Sequence, residues 1–132
     1  MKKVSLFLTI IILSNVSCRK DSGPYIIKPP PPEKPVLISF SNEIQPIFDY
    51  YCVSCHNENH PLLNLKPCCS WYELIATGHN APYIDTINPD ESKLLQRITG
   101  AILPIMPPTG NALPQDDIDL IKKWIGEGAR NN

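Results

Sequence analysis

The chain has little excess charge: 12 Lys and Arg stand against 13 Asp and Glu in 132 residues. No basic stripe runs along it, which argues against nucleic acid as a partner. It also lacks a long apolar run. The run Val4 to Leu13 falls well short of the ~20 residues that cross a hydrocarbon core. No segment has the alternation of a convincing strand, and no internal repeat is evident, so sheet and solenoid architectures are disfavoured. No general base is set beside a nucleophile, which argues against an enzyme. Methionine is scarce, with two residues, so any task that needs a thioether falls on Met1 or Met106.

What is present begins with an export pattern. Lys2 and Lys3 precede the apolar run, and Ser14-Asn15-Val16-Ser17-Cys18 follows it. This order reads as a signal peptide over residues 1–17. Small residues before a cysteine are similar to a bacterial lipoprotein signal, cleaved before Cys18 with lipid added to its thiol. Asn15 departs from that motif, which usually has leucine there. The plainer alternative is ordinary cleavage near Ser17, with Cys18 a spare thiol. Loss of residues 1–17 removes two lysines and leaves a formal charge of −3. Residues 18–37 read as a tether. Pro29 to Pro32 and Pro35 favour extended polyproline II, at ~3.1 Å per residue. The expected product is an exported, periplasm-facing protein held to a membrane by its N-terminal lipid.

The remaining stretch, residues 38–132, is expected to fold as one small all-α domain of about four helices. The first starts near Ser41 or Asn42, with Ile44, Ile47, Phe48 and Tyr51 at helical spacing and Pro46 in its first turn. The second, residues 70–77, opens on a Ser70-x-x-Glu73 capping box and stops at Gly78. The third opens on Asn88-Pro89-Asp90-Glu91, buries Leu94, Leu95 and Ile98, and ends at Gly100. The fourth spans about 115–125, with Asp116 and Asp117 in its first turn and Lys122 and Lys123 in its last. Its apolar face is Ile118, Ile121, Trp124 and Ile125. The terminal helices are expected to pack together through Phe48 and Trp124. So short a domain buries proportionally little surface, and an embedded prosthetic group would add apolar contact.

One pentapeptide points to that group. Cys52-Val53-Ser54-Cys55-His56 has the spacing of c-type haem attachment. Each thiol can add to one haem vinyl group, and the short turn between them matches the distance between the vinyls. The next residue, His56, then lies under the iron as proximal ligand. Covalent attachment of this kind suits an exported protein.

The second axial ligand follows by elimination. Met1 leaves with the signal, so Met106 is the one thioether of the mature chain. It stands in Ile102-Leu103-Pro104-Ile105-Met106-Pro107-Pro108, where prolines restrict the backbone on both sides. His60 and His79 are the competing ligands. Leu63, Leu65, Leu94, Leu95, Ile98 and Ile105 would line a dry pocket. Low dielectric and a methionine ligand both favour the reduced iron and raise the potential.

Cys68 and Cys69 are adjacent. A vicinal disulfide, free thiols, an intermolecular bridge and metal ligation are all open readings. The pair also permits a rival account of the site, in which Cys52, Cys55, His60 and Cys68 or Cys69 hold zinc in a haem-free interaction module. That account leaves His56 and Met106 without a role.

Taken together these segments resemble class I monohaem cytochromes c, and among them the cytochrome c-like domain of secreted planctomycete and Bacteroidetes proteins. The likeness is carried by Ile44-Gln45-Pro46-Ile47-Phe48, by Cys52 to His56, and by Asn88-Pro89-Asp90-Glu91-Ser92-Lys93-Leu94. It continues through Met106-Pro107-Pro108 and Ile118 to Ile125, with Gly128-Ala129. The resemblance implies a helical fold around one covalent haem c, crossing terminal helices, and His56 and Met106 as axial ligands. It also implies that a proline carbonyl after the motif, from Pro61 or Pro67, orients His56. The Cys68–Cys69 pair lies outside the family pattern.

The expected activity is single-electron transfer between redox proteins, not catalysis. An acidic mature chain favours partners with basic docking patches. The alternative within haem chemistry is a five-coordinate sensor or peroxidase-like enzyme, with Met106 off the iron.

Overall fold

The first helix, α1, opens on wide π-helical turns, Phe40–Ile44, and continues as α-helix through Gln45–Tyr51. The structure, a computed structural model, describes residues 29–30, 34–108 and 112–132. The expected signal peptide, the lipid-bearing Cys18 and most of the tether lie outside the described residues.

Ser39 caps α1. Its hydroxyl accepts the Asn42 amide at 3.3 Å, and the Glu43 carboxylate reaches back to the Ser39 amide at 2.7 Å. This is the reciprocal logic of a capping box, spread over four residues because the first turn is wide. The wide turn also accommodates Pro46. Proline has no amide to offer residue 42 and its ring crowds that carbonyl. Gln45 bonds to Phe40, five residues back, so the ladder has already loosened before Pro46 is reached. Pro46 lies, as expected, in the first turn of the α-helical part, directly after the π-helical turns.

Helix α2 is Ser70–Tyr72 followed by a π-helical stretch, Glu73–Thr77. The expected capping box does not form. Cys69 occupies the cap position, and the Ser70 hydroxyl donates instead to the buried amide oxygen of Gln45. Glu73 accepts the Asn64 amide at 3.4 Å. Gly78 ends the helix where a Cβ would strike the Glu73 carbonyl and the Tyr83 ring.

Helix α3 is Lys93–Thr99, later than its expected start. Pro89–Glu91 form a separate 3-10 turn, and Ser92 is extended, with ψ of 125°. The reason is Ser92 itself. Its buried hydroxyl accepts the Asp85 amide at 2.8 Å and donates to the Asp85 carbonyl at 3.2 Å, which holds the backbone straight. Gly100 closes α3 in the left-handed region, with φ of 79°, where glycine carries no Cβ penalty.

Helix α4, Gln115–Gly126, matches its sequence pattern. Ile118, Ile121, Trp124 and Ile125 are buried, while Asp116 and Asp117 begin it and Lys123 lies in its last turn. The small all-α domain thus has four helices, and no strand occurs among the described residues. No helix among them is long and apolar enough to cross a membrane.

One apolar core joins the four helices. The terminal helices meet as expected, with the Phe40 ring of α1 against Trp124 of α4. The Phe40 ring stands 6.2 Å from Phe48 and 5.2 Å from Trp124. The tail after α4 closes the contact. Asn132 accepts the Ser41 amide at 3.0 Å, and the Ala129 carbonyl accepts the Trp71 indole at 2.7 Å. The first of these bonds holds the start of α1, and the second ties α2 to the tail.

Candidate cofactor attachment site

Cys52 is reached at the last turn of α1. Its amide donates to Phe48 at 2.8 Å, so the helical path has not yet ended. The carbonyl of Cys52 then accepts both the Cys55 amide at 3.1 Å and the His56 amide at 2.8 Å. Cys52, Val53, Ser54, Cys55 and His56 are therefore one closed turn. Residues three and four apart in such a turn share a side. Cys52, Cys55 and His56 have that spacing.

Both cysteines are free thiols, Cys52 half-buried against the core and Cys55 exposed. Burial, reinforced by the neighbouring Cys55, pushes the Cys52 thiol up to about 11. At neutral pH it is protonated and sheltered from adventitious reaction.

His56 is held twice. Its carbonyl accepts the Leu65 amide at 2.8 Å, and its Nδ1 lies 3.2 Å from the Leu63 carbonyl. A carbonyl only accepts, so Nδ1 carries the hydrogen and Nε2 keeps its lone pair. Burial lowers the His56 pKa; the Leu63 bond opposes that shift and nearby His60 adds to it. The ring is thus neutral, oriented, and open at Nε2, which is the ligand form of histidine. The carbonyl that orients it comes from Leu63, not from Pro61 or Pro67.

His60 stacks on His56, with ring centroids 4.1 Å apart and planes 39° apart. Its Nδ1 accepts the Leu62 and Leu63 amides, each at 3.2 Å. His79 is exposed, and with His60 it lines a cleft of about 360 Å³ beside Glu58 and Glu73.

Met106 reaches the core from a different loop. It is half-buried and packs on the same apolar cluster as Cys52 and Val53. The loop is strapped to α3: the Met106 amide donates to Arg97 at 2.9 Å, and the Arg97 guanidinium donates to Pro104 at 3.2 Å. Leu63, Leu65, Leu94, Leu95 and Ile98 are buried in the core, and Ile105 is half-buried.

Cys68 and Cys69 form a vicinal disulfide. Their sulfurs are thereby engaged with each other and not offered to a zinc ion. Among the described residues no three His, Cys, Asp or Glu side chains gather at metal-holding distance.

Two contributors carried no sequence signal that singled them out. The Leu63 carbonyl is backbone and has no side-chain signature. Gln45 is 5% exposed, and its amide nitrogen donates to the Leu65 carbonyl at 2.9 Å, fixing the loop that fixes His56. Its place beside Ile44 on an apolar helix face was the available hint.

No protein-family model matches the chain, and no curated protein or solved structure is significantly similar to it.

Proposed function

We propose that this protein is a monohaem c-type cytochrome that carries single electrons between redox proteins. The observation that supports it most is the closed turn of two free thiols and one neutral imidazole, with Nδ1 tied to Leu63 and Nε2 left open. That donor set fits a covalently held haem: Cys52 and Cys55 form the thioethers, and His56 provides the proximal nitrogen. Bound there, the haem supplies one reversible oxidation step at iron. The chain would supply orientation of His56 through Leu63, exclusion of water through the buried leucines, and a thioether ligand from Met106.

With His56 and Met106 both holding it, the haem would offer no free position to oxygen or peroxide, so the role would be transfer and not turnover. The N-terminal pattern adds the setting: an exported chain tethered by lipid on Cys18, meeting its partners at a membrane surface.

The test is an absorption spectrum of the protein matured together with haem-attachment machinery. Sharp bands of reduced c haem, with a weak near-infrared methionine band in the oxidised state, are expected. A high-spin spectrum that shifts with carbon monoxide or azide would instead make it a sensor or peroxidase-like enzyme. A colourless, zinc-bearing protein would defeat the haem assignment.

A further inference from the structure

A disulfide ordinarily stabilises a fold by shortening a loop of the unfolded chain. The Cys68–Cys69 bond cannot act in that way, because it joins residues at a sequence separation of one. It is not a core element either: Cys68 is exposed, Cys69 is half-buried, and neither belongs to the apolar cluster. The local turn is also held without it. The Cys69 and Ser70 amides both donate to the Lys66 carbonyl at 2.9 Å. What remains is chemistry. Cys68 is the exposed member of the pair, and exposed disulfides are the labile, catalytic or regulatory kind. Adjacency keeps the two thiols in one segment after opening, so the bond reforms within the chain.

We propose that Cys68 and Cys69 are a two-electron redox site that exchanges with an external dithiol. This site is separate from the Cys52–His56 turn and does not depend on what that turn binds. A thiolate of the dithiol attacks Cys68 Sγ, the Cys68–Cys69 bond breaks, and Cys69 leaves as a thiolate that takes up a proton. The second thiol of the reductant then attacks its partner sulfur in the mixed disulfide and releases Cys68, which is protonated in turn. Two electrons and two protons pass to the protein, and the dithiol becomes a disulfide.

The experiment equilibrates the folded, purified protein in glutathione buffers from oxidising to reducing. Acid quenching, maleimide labelling and cleavage after glutamate follow. Residues 59–73 then carry Cys68 and Cys69, while residues 44–58 carry Cys52 and Cys55. A failure of the haem assignment would therefore alter a different peptide. The expected result is gain of two labels on 59–73 in reducing buffer and their loss on return to oxidising buffer, with helical circular dichroism unchanged. A Cys68→Ala/Cys69→Ala variant of equal helicity should show neither change. A pair that labels only after denaturation overturns the proposal, and so does a pair that labels fully in oxidising buffer.

Discussion

The hydroxyl of Ser70 donates to the buried amide oxygen of Gln45, joining the start of α2 to α1 across 25 residues of sequence. Gln45 spends its amide nitrogen on the Leu65 carbonyl and on Asp49, both at 2.9 Å. Ser70→Ala removes the donor and leaves a buried oxygen unpaired, which costs roughly 1–3 kcal/mol. In a domain of this size each kcal/mol lowers Tm by roughly 4–8 °C. Urea or thermal unfolding of the variant measures it. A Tm equal to the parent's would mean that Gln45 finds another partner.

The two motif thiols should differ in reactivity wherever haem has not been attached. A rise of Cys52 from the ordinary 9.0 to about 11 cuts its thiolate about a hundredfold at neutral pH. The greater nucleophilicity of a more basic thiolate recovers about half of that on a logarithmic scale, leaving roughly a tenfold deficit before burial is counted. Peptide mapping over a maleimide time course should therefore find Cys55 labelled first. Equal rates would contradict the burial of Cys52.

Acid should weaken the same haem-free chain through His56. Its folded pKa is lowered, chiefly by burial. Above about pH 6.5 both folded and unfolded forms are neutral and the histidine has no effect. As pH falls below that value the unfolded chain takes up the proton first, so stability declines until the folded pKa is reached. A His56→Gln variant should lose this part of the pH dependence, measured as the change in urea midpoint between neutral and mildly acidic buffer. An unchanged slope would mean that His56 titrates alike in both states.

Met106→Ala follows from the proposed function. Covalent haem should survive, because Cys52, Cys55 and His56 remain. The reduction potential should fall and the iron should accept azide or carbon monoxide, since the thioether is lost. Potentiometry and ligand titration give the answer together. A potential like the parent's, with no ligand binding, would remove Met106 from the iron.

Local pattern made part of this molecule legible. The apolar face of α4, its acidic first turn and its Lys123 end lie within twelve consecutive residues, and α4 forms as they imply. The spacing of Cys52, Cys55 and His56 is likewise a matter of five residues, and they close one turn. Two local readings failed where a distant partner intervened. Ser70 had the spacing of a helix cap, but Gln45 captures its hydroxyl. Asn88 to Glu91 had the pattern of a helix start, but Asp85 holds Ser92 extended and delays it.

The sequence by itself therefore determined the helical class, the apolar faces of α1, α3 and α4 and the placement of two thiols and an imidazole at one helix end. Only the tertiary structure decided which carbonyl orients His56, that Phe40 packs against both Phe48 and Trp124, and that Cys68 pairs with Cys69. The division is physical. Helical periodicity and turn spacing are properties of neighbours along the chain. A buried polar group takes whichever partner the packed core brings within reach, and that choice is made across 20 residues for Gln45 and Leu65.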